Sequence, residues 1–298
     1  MTTSPQRAVT ILPERQLQPL LARYSGQIKL RRNQTIAGLA VLAILVVLCG
    51  WLAEVRPATF FSNLGNFGSY LARTVPSLHI ATFANDMREW FWGFRKWLRL
   101  LGETMLIAYL GTFAGAIFAF LLCFYASANL TSNVYVRFAA RRLLEFCRTV
   151  PDIVFALIFV IAFGLGPMAG VLALTIHTVG ALGKLFAEVV ENIDGKPLEG
   201  VSATGASWVQ GVRFAVLPQV ISGFASYTLL RFEINVRGAG VMGFVGAGGI
   251  GQEFLVAIRN FYYTDVSAIL LMIIATVITI DLVTERIRHR LIGFGSHA

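Results

Sequence analysis

Charged side chains are scarce in this chain of 298 residues. Asp, Glu, Lys and Arg together make up 14% of it, against about 25% in soluble domains. Hydrophobic residues make up 56%, and the mean hydropathy is +0.68. A water-soluble globule of this size could not cover its surface with so little charge, so the expected solvent is lipid. The sequence therefore predicts an integral membrane protein.

Cysteine and histidine are also rare. Cys49, Cys123 and Cys147 lie in or beside apolar segments, at spacings that fit neither a metal site nor a disulfide framework. Of the four histidines, only His177 falls within a predicted span. A membrane-embedded enzyme acting on a lipid or phosphate ester would need a His and Asp cluster, a nucleophile with its base, or metal ligands. This class is therefore disfavoured, and we expect no metal site and no catalytic residue.

Two further classes receive little support. An ion-driven secondary transporter often contains inverted repeats, and no internal repeat is visible here. The net charge of +9 would suit a nucleic-acid partner. However, the basic residues lie mostly between long apolar runs, where they orient spans in a bilayer. We therefore expect a lipid environment and no nucleic acid.

Six apolar runs are candidate transmembrane helices, which predicts an all-α membrane protein. They lie at 36–53, 103–126, 149–165, 167–190, 215–236 and 264–285. With both termini in the cytoplasm, most of the 25 Lys and Arg residues fall inside, as the positive-inside rule requires. The resulting division is a basic cytoplasmic segment (1–33), a first anchor (34–53), an extracytoplasmic or interfacial segment (54–101), a membrane core (102–290) and a cytoplasmic tail (291–298).

One stretch before the core has helical periodicity. Apolar residues from Trp90 to Leu101 fall on one helical face, and Arg88, Glu89, Arg95, Lys96 and Arg99 fall on the other. This pattern predicts an amphipathic helix in the membrane interface. The alternative is a helix packed on the protein's own spans.

The segment from Pro197 to Pro218 reads PLEGVSATGASWVQGVRFAVLP, which is polar enough to lie outside the bilayer. Glu199 is followed by Gly205 six residues later, and Leu217-Pro218 follows after twelve more. This spacing resembles the EAA loop of ABC importer permeases. Gly200 and Val201 stand where that loop has two alanines, and Ala215 stands where it has isoleucine, which weakens the helix propensity.

The resemblance implies a cytoplasmic coupling helix at about 197–214, which docks on an ATP-binding subunit through Glu199, Gly205, Leu217 and Pro218. A carboxylate at Glu199 would pair with an Arg across that contact. The alternative is an ordinary amphipathic loop with an incidental Glu.

Four further runs are similar to the phosphonate-type importer permeases, over residues 148–174, 183–194, 231–237 and 243–251. The resemblance implies a type I ABC importer permease bundle in a prokaryotic inner membrane. It also implies a permease subunit that moves a phosphonate-like oxyanion by alternating access and is not itself an enzyme. The implied partners are a second copy of the chain, two ATP-binding subunits that hold ATP and Mg, and an extracytoplasmic binding protein. The alternative cargo is inorganic phosphate or phosphite.

A glycine cluster follows the fifth apolar run. Gly246, Gly248 and Gly251 match G-x-G-x-x-G, but a dinucleotide site needs a preceding strand, and here an apolar helix precedes it. Together with Gly249, these residues instead predict non-helical backbone at the outer membrane face, where an outer gate would form.

Ionisable residues inside spans are costly in lipid and mark a cavity or a partner. A rise of ~1.5 Å per residue from Pro218 puts Arg231 about 20 Å and Arg237 about 28 Å above the inner face. Glu233 and Arg237 have the spacing of an ion pair. The Arg231 fork suits a phosphate or phosphonate oxyanion; the alternatives are pairing with a carboxylate on another helix, or snorkelling outward. His177 is expected to be a hydrogen-bonded core histidine rather than a ligand.

Other charges have structural interpretations. Lys184 and Glu188 are spaced to pair, and Glu191 would lie near the start of the coupling segment. Asp152 would stabilise a helix N-terminus. Asp281 and Glu285 are expected in a charge cluster with Arg288 and Arg290.

Overall fold

The computed structural model describes residues 14–77 and 79–295, and all regular secondary structure in these two ranges is helical. In chain order the helices are α1 (Glu14–Leu52), α2 (Pro57–Ser62), α3 (Leu64–Thr74), α4 (Phe83–Trp90), α5 (Phe94–Ala126), α6 (Val134–Thr149), α7 (Asp152–Phe163), α8 (Pro167–Glu191), α9 (Gly195–Ala203), α10 (Trp208–Gly211), α11 (Leu217–Met242), α12 (Ile250–Arg259) and α13 (Tyr263–Gly295). A π-helical turn (Val212–Val216) leads into α11, and a 3-10 turn (Gly243–Val245) follows it.

Within the described ranges, four helices are long and apolar enough to cross a membrane: α1 from Gly26, α5, α8 and α13. Two bent pairs complete the set, α6 with α7 at 84° and Trp208–Val245 with α12 at 49°. Counting each pair as one span gives six, as the sequence predicts. Helix α7 alone, with its 12 residues, covers only about 18 Å.

The N-terminal unit, up to Ser69, differs from its predicted division. Helix α1 runs unbroken through the proposed boundary between the basic segment and the first anchor. Its described side chains are nearly all exposed, as expected for a helix solvated by lipid. The start of the basic segment, residues 1–13, lies outside the described residues, as do residues 296–298 of the predicted tail.

The prediction of one interfacial helix over residues 90–101 is wrong. Helix α4 ends at Trp90, a turn follows, and α5 begins at Phe94. Trp97 and Leu101 are buried, and they pack with Ile250 of α12 and Ile269 of α13. The alternative interpretation therefore describes this stretch better: its apolar face packs on the protein's own helices.

Helix α8 is the centre of the bundle, because α5, α6, α7 and α11 all pack against it. Small residues allow the closest approach, as the sequence predicts. A Cβ added at Gly115 of α5 would lie 2.6 Å from the Cβ of Thr178, and one added at Gly180 of α8 would lie 2.5 Å from the backbone nitrogen of Arg148. One end of the bundle is filled by aromatic rings, with Phe186 stacked on Phe224 at 4.1 Å between ring centroids.

Candidate functional site

Helix α9 occupies the predicted coupling position. The Asp194 carboxylate caps its N-terminus by accepting a hydrogen bond from the Lys196 amide at 3.0 Å. Glu199 lies in the middle of the helix with its side chain exposed, and no ion pair involves it among the described residues. A Cβ added at the neighbouring Gly200 would meet nothing within 4 Å. No part of the chain that the structure describes therefore covers α9 at Gly200.

The predicted extent of this helix, 197–214, needs correction. Helix α9 ends at Ala203, and Gly205 adopts a left-handed φ of +80°, a conformation that favours glycine. A second short helix, α10, then leads through the π-helical turn into α11. Gly205 therefore ends the helix. Leu217 and Pro218 begin α11 directly after the π-helical turn, so the missing amide of Pro218 falls where the helical hydrogen-bond pattern changes.

Both ends of the coupling segment are fixed to the bundle. The Gln219 side chain accepts a hydrogen bond from the Asp194 amide at 3.1 Å. Trp208 donates its indole N–H to the carbonyl of Leu130 at 3.0 Å and stacks on Tyr125. These contacts join α9 and α10 to α5 and α11, so a force on α9 would reach the spans.

Arg231 and His177 meet half-way along the bundle. A guanidinium nitrogen of Arg231 lies 3.1 Å from Nδ1 of His177, and both side chains are half-buried. Neutral Nδ1 accepts this bond when the proton is on Nε2. Nε of Arg231 is buried and has no partner among the described residues. Over the same ranges, no carboxylate lies within 4.0 Å of this guanidinium. Within these ranges, Arg231 therefore forms no ion pair at contact distance, and the nearest counter-charge that acts on it is Asp152 of α7, beyond 4.0 Å.

One turn further along α11, a buried polar network joins three helices. The Asn235 amide donates to the hydroxyls of Thr112 on α5 (2.8 Å) and Thr178 on α8 (2.9 Å). Asn235 is 1% exposed, and its Oδ1 has no partner in the described part of the chain. The sequence does not predict this network, because its members are far apart along the chain and none is ionisable.

Glu233 and Arg237 form the predicted ion pair, at 2.6 Å. Arg237 also lies 3.6 Å from Asp281 of α13. Asp281 therefore faces α11, rather than joining the predicted cluster with Arg288 and Arg290. Two carboxylates thus accompany Arg237 within 4.0 Å, whereas Arg231 has only the more distant charge of Asp152.

The predicted non-helical glycine segment is shorter than expected, because it ends at Gly249 and Gly251 is helical. Gly246, Gly248 and Gly249 have φ values of +84°, +86° and +79°, and Gly251 lies in the first turn of α12. Two residues of α5 bind the segment: Glu103 accepts from the Gly249 amide at 3.2 Å, and Thr104 accepts from the Ile250 amide at 2.9 Å. The segment is thus packed against the bundle at the end opposite α9. Its role as a gate stays a prediction.

Charges of α8 pair towards its C-terminal end. Lys184 lies 3.6 Å from Glu188, as the spacing predicts. Glu191 accepts hydrogen bonds from Arg141 of α6 at 2.5 Å and from the Ala128 amide at 2.7 Å. It therefore fixes the α5–α6 connection and does not contact the coupling helix. Asp152 lies in the first turn of α7 and accepts a bond from the Ile153 amide at 2.9 Å, which is the helix-terminus role expected for it. No group of metal-binding side chains occurs among the residues that the structure describes.

A bent helical bundle with a projecting, solvent-exposed short helix and half-buried charges near mid-span defines a membrane transport subunit. Residues 126–292, more than half of the chain, match the family model of the binding-protein-dependent transport system inner membrane component. The chain belongs to this family of ABC importer permeases and is a multi-pass membrane protein.

Several curated relatives belong to importers of phosphorus oxyanions. The phosphite transport system permease protein PtxC of Stutzerimonas stutzeri is 40% identical over 81% of this chain and 84% of its own length. The phosphate-import permease protein PhnE of Mycolicibacterium smegmatis is 35% identical over 83% of this chain, which spans 44% of that relative. The putative cryptic phosphonate transport system permease protein PhnE2 of Escherichia coli K12 is 48% identical over 41% of this chain and 99% of its own length.

Solved structures confirm the fold. A chain of the inward-facing MetNI methionine ABC transporter aligns with a TM-score of 0.57 at 21% identity, over 65% of this chain and 95% of that one. A chain of a bacterial ABC transporter involved in the import of the acidic polysaccharide alginate aligns with a TM-score of 0.56 at 13% identity. The alignment covers 82% of this chain and 97% of that one. The predicted type I importer permease bundle is therefore the fold of this chain.

Proposed function

We propose that this chain forms the membrane pathway of an ATP-driven importer for a phosphonate-like oxyanion. The observation that carries the proposal is Arg231, a half-buried guanidinium near mid-span whose one side-chain partner among the described residues is the neutral acceptor His177. A cation at this depth is costly unless a partner or water compensates it. A transported anion would supply that compensation.

The guanidinium group also fits the shape of the cargo. Its planar fork of donors matches two oxygens of a phosphate-like group. The bond to His177 engages one terminal nitrogen and Nε is buried, so an anion would be bound by the remaining terminal N–H groups. Because the neutral His177 adds no counter-charge, Arg231 would keep its attraction for an anion.

The curated relatives are named for phosphite, phosphate and phosphonate. All three cargoes present a tetrahedral phosphorus with charged oxygens, so all would interact with Arg231 in the same way. Inorganic phosphate or phosphite is therefore the second candidate cargo. The choice among them would lie largely in the extracytoplasmic binding protein.

In the proposed mechanism, two copies of the chain form the pathway and two ATP-binding subunits attach at their α9 helices. ATP and Mg are bound and ATP is hydrolysed in those partner subunits, and both termini of this chain are cytoplasmic. Closure of the ATPase pair would move α9 through its contact at Glu199. Since α9 is joined to α11 by Asp194 and Gln219, this movement would be transmitted to the spans and would open the side facing the binding protein.

Uptake in cells tests this proposal. The permease, its ATP-binding subunit and its binding protein are expressed in a host that lacks other phosphate importers. Uptake of labelled phosphate is then measured in competition with unlabelled methylphosphonate, phosphite and phosphate. We expect strong competition by methylphosphonate and weak competition by phosphate. Competition by phosphate or phosphite alone would assign the second cargo, and no ATP-dependent uptake of any oxyanion would contradict the proposal.

A further inference from the structure

A polar stripe runs along one side of α8 from mid-membrane to its C-terminal end. His177, Ala181, Lys184, Glu188 and Glu191 follow one another at steps of four, three, four and three residues, which places them on one helical face. The last three are exposed, and His177 and Ala181 are half-buried. On the opposite face at this depth, Leu182 and Phe186 are buried in the core.

This stripe is difficult to reconcile with lipid. Lys184 lies seven residues from the end of α8, about 10 Å, and its side chain is 45% exposed. Charged side chains at membrane depth face a cavity or a partner rather than lipid tails. The stripe begins at His177, which binds Arg231. It therefore continues the proposed anion site toward the end of the bundle that carries α9.

We propose that the α8 stripe lines an aqueous route below Arg231 and that Lys184 is a second oxyanion-binding residue on it. The inference rests on the proposed function, because it assigns a second binding site to the same cargo. The distance along α8 from His177 to Lys184 is about 10 Å. An anion leaving Arg231 would therefore reach a second cation before it reached the cytoplasm.

Glu188 would help to release the anion from Lys184. Its carboxylate lies 3.6 Å from the Lys184 ammonium, and both side chains are about half exposed. Exposed pairs of this kind are weak, so an incoming oxyanion would displace Glu188 from Lys184. The displaced carboxylate would then repel the bound anion. A pathway needs sites that bind its cargo weakly enough to let it leave, and this pair meets the requirement.

Thiol labelling tests whether the stripe is aqueous. In a Cys49→Ala background, the remaining natural cysteines are buried. The labelling rate of Ala181→Cys by a charged methanethiosulfonate reagent is then measured in inside-out vesicles. Ile117→Cys of α5 is the control, because Ile117 is an exposed apolar residue at similar depth. We expect labelling at least tenfold faster at position 181. Equal, slow labelling would overturn the proposal. Labelling does not depend on which cargo is transported. It therefore tests the aqueous route even if the proposed function is wrong.

Transport kinetics test Lys184. For the oxyanion that wild type transports, we expect Lys184→Gln to raise KM about fivefold and Lys184→Arg to restore it. Glu188→Gln is expected to lower both KM and the maximal rate, because the anion would leave more slowly. Lys96→Gln is the matched control, since Lys96 is an exposed cation of α5 paired with Glu253 of α12, at the end of the bundle away from the stripe. Unchanged kinetics in both Lys184 and Glu188 variants would overturn the assignment.

Discussion

Arg231 is the residue on which the proposed cargo depends most. It lies at mid-span, is half-buried, and bonds to His177 rather than to a carboxylate. Arg237, six residues later, has Glu233 and Asp281 beside it. Two arginines of one helix are thus in different electrostatic situations: Arg237 has carboxylates in contact, and Arg231 has only the more distant Asp152, so it has room for a further anion beside it.

We predict that Arg231→Gln lowers oxyanion uptake by about tenfold or more. Loss of a hydrogen bond to a charged group removes about 1.5–3 kcal/mol, and about 1.4 kcal/mol corresponds to a factor of ten in binding. Arg231→Lys keeps the charge but loses the fork, so its uptake is expected to lie between that of the wild type and that of Arg231→Gln. Uptake is normalised to permease in the membrane, with Lys96→Gln as the control. Wild-type uptake by Arg231→Gln would exclude contact with the cargo.

His177 supports Arg231 as an acceptor, and this role predicts a difference between two substitutions. His177→Phe leaves the half-buried guanidinium without its bond and is expected to destabilise the permease by about 1–3 kcal/mol. His177→Asn keeps an acceptor and is expected to lose less. Thermal unfolding in detergent measures both. Equal melting temperatures for the two variants would contradict the acceptor role.

At the scale of elements, α9 is the proposed connection between ATP and transport. Its Glu199 is exposed, its N-terminal end is held by Asp194 and Gln219, and the following helix α10 is held by Trp208. It therefore has the form of a rigid protrusion with an uncovered face.

We predict that Glu199→Arg abolishes uptake while membrane insertion is retained, because the charge reversal opposes pairing with a basic partner. Glu285→Arg is the matched control, since Glu285 is also exposed but lies on α13, away from the coupling segment. Co-purification with the ATP-binding subunit gives a second readout. If Glu199→Arg took up oxyanion normally, α9 would not be the coupling element as described.

The packing of α5 on α8 offers a test at the same scale. A Cβ at Gly115 would clash with Thr178, whereas one at Gly102 of the same helix would meet nothing within 4 Å. We predict that Gly115→Ala destabilises the bundle by about 1–3 kcal/mol. Gly102→Ala should be neutral or stabilising by up to ~1 kcal/mol. Melting temperatures in detergent that fall equally in both variants would contradict the close approach of α5 to α8 at Gly115.

At the scale of the whole molecule, one chain contains one coupling segment and one polar stripe on α8. If each ATP-binding subunit needs its own α9, the assembly must contain two copies of this chain. We predict two permease chains and two ATP-binding chains per complex by native mass spectrometry. A complex with a single permease chain would refute the proposed homodimer.

The sequence predicts the local features well. Six apolar runs, the Glu199–Gly205 spacing and the Glu233–Arg237 pair are all contained within short stretches, where helical period and spacing carry the information. The break at Phe91 was missed, because a short turn kept Trp90 and Trp97 in phase and the periodicity continued through it.

Contacts between helices cannot be predicted from this sequence alone. His177 and Arg231 are 54 residues apart, and nothing in either segment specifies which turn of α8 faces which turn of α11. The same applies to Asn235 with Thr112 and to Glu191 with Arg141. Such pairs depend on the register of packed helices, which is set by close approach at glycines such as Gly115 and Gly180.

Reconstituted transport tests the central claim most directly. The permease, its ATP-binding subunit and its binding protein are placed in proteoliposomes, and accumulation of labelled phosphite and of labelled methylphosphonate is measured with and without ATP. We predict ATP-dependent accumulation of at least one oxyanion, which Glu199→Arg abolishes and Arg231→Gln reduces at least tenfold. Accumulation that is independent of ATP, or unaffected by both substitutions, would contradict the account.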